Sequence, residues 1–260
     1  MRGFLFDVEF SWGFQARIVG MSKTSPSYIF PPLTSILGAL GEAYAKRKGL
    51  SEGKSVETMR NLSTKLLALS YKSLNAIPTT FQDINRVIAI RTAAGVEYPS
   101  AKDVYGSFDA PARGKTFLSS IDDRAPTLRI MLVLRDGSDI TSEDIWKIKR
   151  IGSRESMTSV VNVVEEKPKI IRDLPIITQY SFPEVEGLEY ERSGEYIEQY
   201  FVPILGRSME ESPSALYLKS IATKYIIGVP FRDFCFTIRR LPKGFVGYGI
   251  NGEVAIGIEG

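Results

Sequence analysis

Phe4, Phe6, Val8 and Phe10 alternate with polar or small neighbours, so residues 3–10 are predicted as a strand with one buried face. Pro31-Pro32 then suits a helix start, because a first-turn proline loses no needed hydrogen bond. Leu33, Ile36, Leu37, Leu40 and Tyr44 form the apolar stripe of that helix. Gly38 and Gly41 lie inside it, each costing about 1 kcal/mol relative to alanine, and their use is expected in close approach of the helix to a sheet or a ligand. Lys46, Arg47 and Lys48 end it and complement its dipole. A second helix is predicted over 55–72, with Val56, Met59, Leu62, Leu66 and Leu69 on one side. Over 74–126, short strand-like pieces such as 87–90 alternate with Gly, Pro and charged residues, as in a hairpin with long loops projecting from a core.

Residues 127–135 form a clear strand, with Leu128, Ile130, Leu132 and Leu134 alternating. Thr141 and Asp144 resemble a capping box opening a helix whose inner stripe is Ile145, Ile148 and Ile151, and Gly152 suits its C′ position. Residues 157–164 return as a strand. The order is strand, helix, strand material, strand, helix, strand: an α+β chain in the ferredoxin-like arrangement that RNA-recognition domains also use. Beyond it, 231–238 reads as a strand and 247–256 as a hairpin turning at Asn251-Gly252. No linker, low-complexity tract or repeat divides the chain.

Composition narrows the chemistry. Of 260 residues 43% are hydrophobic and 24% charged, ordinary for a globular protein with a real core. No run of about 18 apolar residues is present, so no membrane span is expected, and residues 1–10 are unlike a signal peptide. Cys235 is the single cysteine, which fits a reducing compartment, and a cytoplasmic location is expected. There is no histidine. That removes the commonest general base, the Ser-His and Cys-His nucleophile pairs and every histidine metal site, so an enzyme here would run on Lys, Tyr, Asp or Glu. No cofactor or metal is expected. Net charge is +3, unevenly spread: residues 1–130 hold 17 basic and 11 acidic side chains, residues 131–260 hold 16 and 19. The second half includes Glu184, Glu186, Glu189, Glu191, Glu195 and Glu198, relieved only by Arg192. A polyanion would meet the first half more readily.

Three tracts carry candidate chemistry. Residues 11–17 and 28–40 place aromatics, cations and a helix N-terminus in one short space; aromatic faces stack on bases and cations meet phosphates. Ordinary core packing explains the same aromatics. The turn Gly152-Ser153-Arg154-Glu155-Ser156, with Lys147, Lys149 and Arg150 upstream, offers backbone N–H groups, hydroxyls and cations to a phosphate, or else is a glycine helix stop with solvated charges. Arg113-Gly114-Lys115-Thr116 is not a P-loop, because Asp109 stands where that motif needs glycine; it reads as a basic loop tip. Asp122-Asp123 reads as a solvated turn, and Gly244, Gly247 and Gly249 do not open a helix as a dinucleotide fold requires.

The Trp12-Gly13 turn, the 28–40 segment entering its helix and the 151–156 turn together resemble the fifth CRISPR-associated (Cas) family, RAMP-type subunits of type I interference complexes, with the pattern nearest the I-A branch. The resemblance implies a ferredoxin-like (RRM/RAMP) domain over 1–165, a projecting thumb hairpin around 74–126, and a C-terminal β-rich extension over 166–260. It also implies a non-catalytic subunit of the Cascade complex that caps the 5′ handle of the guide RNA (crRNA) in antiviral defence, beside the backbone RAMP subunit and the large subunit. Carried over by position, the RNA-binding candidates are Trp12, Arg17, Lys23, Arg150, Ser153 and Arg154, with Arg113 and Lys115 placed in the thumb by order. One branch of the family cleaves precursor guide RNA with a site that includes histidine, which this chain lacks. A histidine-free endoribonuclease is the first alternative, and an RNA-independent assembly subunit, drawing on the acidic 184–198 stretch, the second.

Overall fold

The computed structural model describes residues 1–18, 26–51, 54–84, 87–88, 90–109, 112–201, 205–206, 222–231 and 233–260. The alternating N-terminus forms β1 (Arg2–Phe10), followed by the two-residue β2 (Gly13–Phe14). Then come α1 (Leu33–Arg47) and α2 (Ser55–Lys65), and α2 runs directly into β3 (Leu66–Ser73). β4 (Ala76–Ile84) leads outward. At its end β5 (Val87–Ile88), β6 (Arg91–Ala93), β7 (Val96–Tyr98) and β8 (Phe108–Asp109) make two short ladders, and β9 (Ala112–Ser120) returns along β4. β10 (Thr127–Leu134), α3 (Ser142–Trp146) and β11 (Thr158–Glu166) complete this half.

β1, β3, β10 and β11 form one antiparallel sheet in the order β11-β1-β10-β3. In order of occurrence that is 4-1-3-2, with α1 and α2 between the first and second strands and α3 between the third and fourth. Phe4, Phe6, Val8 and Phe10 from β1 meet Leu33, Ile36, Leu37 and Leu40 of α1 and Ile145 of α3 in the main core.

Several expectations need correction here. The strand 66–73 takes over the last part of the expected helix 55–72, which ends at Lys65. Leu66, Leu67, Ala68, Leu69 and Tyr71 are all buried, so the run has no polar face to reveal its period. A bulge opposite Val133 and Leu134 sends Leu67 and Ala68 to one side of the sheet, and Leu66, Leu69 and Tyr71 to the other. Helix α3 is also shorter than read. Its capping box forms between Thr141 and Asp144, but it ends at Trp146, well before Gly152. Arg47 at the end of α1 holds the Asp144 carboxylate at 2.6 and 2.9 Å, so that cation ties two helices together as well as facing a dipole. Gly41 is used for close approach, but to Met59 of α2 rather than to a sheet or ligand.

The C-terminal part contributes β12 (Lys169–Ile171), β13 (Ile176–Thr178), β14 (Phe182–Pro183), β15 (Glu189–Ser193), β16 (Tyr196–Phe201), β17 (Thr223–Gly228), β18 (Cys235–Arg240), β19 (Phe245–Ile250) and β20 (Glu253–Ile258). They form three small antiparallel sheets. β19 and β20 turn at Asn251 and Gly252, both at positive φ as a tight hairpin requires. Val246, Tyr248, Ile250 and Ala255 of this hairpin pack on Leu5, Met131 and Val133. β1 is therefore buried on both faces, not one. Across this second interface Arg129 is bidentate to Asp7 (2.6 and 2.8 Å) and reaches Glu253 at 2.8 Å; Lys72 and the Tyr180 hydroxyl also bind Glu253.

Candidate nucleic-acid interface

At the end of β1 the chain turns sharply through Ser11 and Trp12. Gly13 sits at φ +147°, and a Cβ there would meet the Thr116 carbonyl at 2.1 Å, so only glycine lets β2 lie against β9. That approach fixes Trp12. Its backbone carbonyl accepts the Leu118 amide (2.9 Å), and its indole Nε1 donates to the Glu155 carbonyl (2.7 Å). The Lys115 ammonium lies 5.9 Å from the indole centroid, within cation–π range, and is held by Asp83 at 2.8 Å and Glu155 at 3.6 Å. The hydrogen bond that Lys115 donates to Asp83 is the main reason its pKa is raised, so Lys115 is a firmly protonated cation.

The 151–156 turn is bound to the same junction. The Ser153 amide donates to the Gln15 carbonyl (3.1 Å), the Ser156 amide donates to Ser153 (3.0 Å), and Ser156 Oγ accepts the Gln15 amide (3.0 Å) while facing Ser153 Oγ at 3.2 Å. Gly152, at φ +117°, fits only because nothing stands between it and Gln15. The Ser153 and Ser156 amides and the Ser156 hydroxyl are therefore engaged inside the protein and are not free to hold a phosphate. Ser153 clamps the turn to Gln15, next after β2, and the exposed charged groups the turn displays are Arg154 and Glu155. Arg150 lies next to it, with its Nε donating to Glu42 of α1 at 3.0 Å.

Arg17 is exposed on a short arm where residues 16–18 pair with 26–28. Thr116 Oγ1 bonds the Tyr28 carbonyl, which joins that arm to β9. Lys23 lies outside the described residues. The structure thus brings Trp12, Lys115, Ser153 and Arg154 into one junction, with Arg17 and Arg113 on its flank and Arg150 around the corner toward α1. Tyr28 and Phe30 do not join them. They are buried against Phe201 (5.8 Å between centroids) and Tyr71 (6.0 Å), so the packing account of the 28–40 aromatics is the correct one.

A family model described as "CRISPR-associated protein (Cas_Cas5)" matches residues 3–134, about half of the chain. The chain belongs to this Cas5 family. A Saccharolobus solfataricus protein named "CRISPR-associated protein Cas5 2" is 26% identical over 188 residues, covering 70% of this chain and 68% of the relative. The "Crystal structure of a CRISPR protein from Archaeoglobus fulgidus" aligns over 100% of both chains, at 36% identity and a TM-score of 0.74. In this Cas5-family chain the family match runs from β1 through β10. It includes Trp12, Arg17, Arg113 and Lys115 and stops before Arg150, Ser153 and Arg154.

Two residues of this surface escaped the sequence reading. On β9, Thr116 and Leu118 face inward, while Arg113, Lys115 and Phe117 occupy the opposite face. On β4, Thr79 pairs with Phe117 and Phe81 with Lys115, so Phe81 shares that outer face. Phe81 is 43% and Phe117 46% exposed. The signal was the alternation of 113, 115 and 117, hidden while this stretch read as a loop tip. The acidic 184–198 segment is less bare than its composition implied. Glu184 and Glu198 pair with Lys224, Glu189 with Arg240 and Glu191 with Arg239, across strands that arrive from later in the chain. Among the described residues no cluster of three acidic or cysteine side chains could hold a metal, and no helix is long and apolar enough to cross a membrane.

Proposed function

We propose that this chain is a non-catalytic RNA-binding subunit of a type I CRISPR interference (Cascade) complex and holds the 5′ handle of the guide RNA. The observation that carries the reading is the outer face of the β4–β9 hairpin and its junction. Two half-exposed phenylalanines and the Trp12 indole stand among Lys115, Arg113, Arg17 and Arg154, the mixture of flat apolar faces and cations that tracks single-stranded nucleic acid. Family membership supports the setting. The 4-1-3-2 strand order with its helices on one face supports a ferredoxin-like palm, and the β4–β9 hairpin supports the thumb. The non-catalytic part rests on chemistry: there is no histidine, and the lysine at the centre of the surface is held protonated by Asp83, the wrong state for a general base.

The test is to mix the purified chain with end-labelled guide RNA, with and without its handle, on native and denaturing gels. Intact RNA shifted only when the handle is present is expected; discrete shorter products would overturn the non-catalytic assignment. Arg154→Ala should weaken binding and lower the slope of log affinity against log salt by about 0.7, the loss of one phosphate contact on a single strand. An unchanged slope would remove Arg154 from the interface.

A further inference from the structure

Between α1 and the segment after α3 lies a concavity of about 190 Å³, lined on one side by Ala39, Glu42, Ala43 and Lys46 and on the other by Lys147, Lys149, Arg150, Arg154 and Met157. The α1 residues follow helical spacing, and the two alanines leave the space that larger side chains would fill. Five cations and one carboxylate line it, and Glu143 beside it neutralises one more of the five, leaving three positive charges. Glu42 organises two of them, at 2.6 Å from Lys46 and 3.0 Å from Arg150, and Lys147 pairs with Glu143 at 2.5 Å. Burial pushes the Glu42 carboxyl up, but the hydrogen bonds and charges of Lys46 and Arg150 outweigh it and hold the group below its ordinary value, so it stays ionised. Lys149 and Arg154 are exposed and have no ion-pair partner among the described residues. Crowding like charges around a hollow is unfavourable until an anion enters it.

We infer that this concavity seats one internucleotide phosphate of the bound guide RNA, with Lys149 and Arg154 as its direct partners and Glu42 as the residue that positions Arg150 and Lys46. The inference rests on the RNA-binding reading above and extends it to α1 and to residues outside the family match. The space equals about six waters of liquid volume, enough for a phosphate with part of its hydration shell but not for a folded peptide segment. Its place decides the ligand. Arg154 precedes Glu155, whose carbonyl holds the Trp12 indole, so this rim is the cationic concavity next to the indole on which a base would stack.

The experiment uses the full chain and a fluorescent guide RNA in which single linkages are replaced in turn by uncharged methylphosphonates. Affinities for wild type and Lys149→Ala are read by anisotropy at two salt concentrations. At one linkage the neutral substitution should weaken wild-type binding about threefold to fivefold, the scale of an exposed ion pair. It should leave Lys149→Ala nearly unaffected, and that variant's salt slope should be lower by about 0.7. Lys46→Ala should show weaker coupling to the same linkage. Binding by wild type with no linkage coupled to Lys149 overturns the phosphate site while leaving RNA binding intact. Failure of the wild-type chain to bind any guide RNA overturns both.

Discussion

Asp83→Asn should strengthen RNA binding, although it removes a contact from the centre of the interface. In the free chain the Lys115 ammonium is 2.8 Å from Asp83 and 3.6 Å from Glu155, so an incoming phosphate must compete with two carboxylates. Lys115 is 16% and Asp83 40% exposed, and the open carboxylate keeps the pair at the scale of a surface ion pair, about 0.2–1 kcal/mol. Releasing that energy on binding, at 1.4 kcal/mol per tenfold, gives roughly a 1.5- to 5-fold gain in affinity. Lys115→Ala should move the other way, with weaker binding and a salt slope lower by about 0.7. Both are read by anisotropy of a labelled guide RNA over a salt series, with circular dichroism to show that the variants are folded. The opposite signs test the geometry. If Asp83→Asn weakens binding as Lys115→Ala does, then Asp83 serves to aim the lysine, and the competition argument is refuted.

Gln199→Leu should cost about 3 kcal/mol of stability. The buried Gln199 amide accepts the Ile29 and Phe30 amides (2.8 and 2.9 Å) and donates to the Phe30 carbonyl (2.9 Å), so the leucine leaves three backbone groups without partners at about 1 kcal/mol or more each. A urea midpoint shifted by less than that of an exposed control would show that water or the backbone replaces it. Glu253 supplies a pH test. Burial raises its pKa, but hydrogen bonds from Tyr180, Arg129 and Lys72 outweigh this and hold the carboxyl below its ordinary 4.5. A depressed folded value means the stabilisation is complete above 4.5 and is lost as pH falls through the folded value. The difference in urea midpoint between wild type and Glu253→Gln should therefore be greatest above pH 5 and shrink on acidification; a difference independent of pH would contradict the assignment.

What the sequence made legible were elements that carry their own local signal. The alternation at 127–135, the Thr141–Asp144 capping box and the Asn251-Gly252 turn need nothing from elsewhere in the chain, and each forms. The 66–73 strand was illegible because what makes it a strand is distant in sequence: β10 pairs with it from about 60 residues away, and the β19–β20 hairpin covers one of its faces from more than 170 residues away. Tyr28 and Phe30 misled for a related reason. Nothing local distinguishes an aromatic that stacks on a base from one that packs on Phe201 or Tyr71. At the interface, Trp12, Lys115, Ser153 and Arg154 were legible as residue types, but the clamp between Gln15 and the 152–156 turn depends on a pairing 138 residues apart in sequence, Gln15 with Ser153.

The covered sheet explains why the surface lies where it does. A four-stranded sheet of this order can bind RNA on the face opposite its helices when aromatic side chains stand open there. Here Leu5, Met131 and Val133 occupy that face under the β19–β20 hairpin, and Arg129 with Asp7 and Glu253 fastens the cover in place. A nucleic acid cannot reach the centre of the sheet without unpairing that network. The accessible flat groups have moved to the end of β1 and onto the β4–β9 hairpin, where Trp12, Phe81 and Phe117 stand beside cations rather than over a core. The carboxylates among them follow from the same arrangement. Cations this close together, with no sheet face to spread over, are kept compatible with a folded chain by Asp83, Glu155 and Glu42, and a phosphate backbone can displace the first two without disturbing the core beneath.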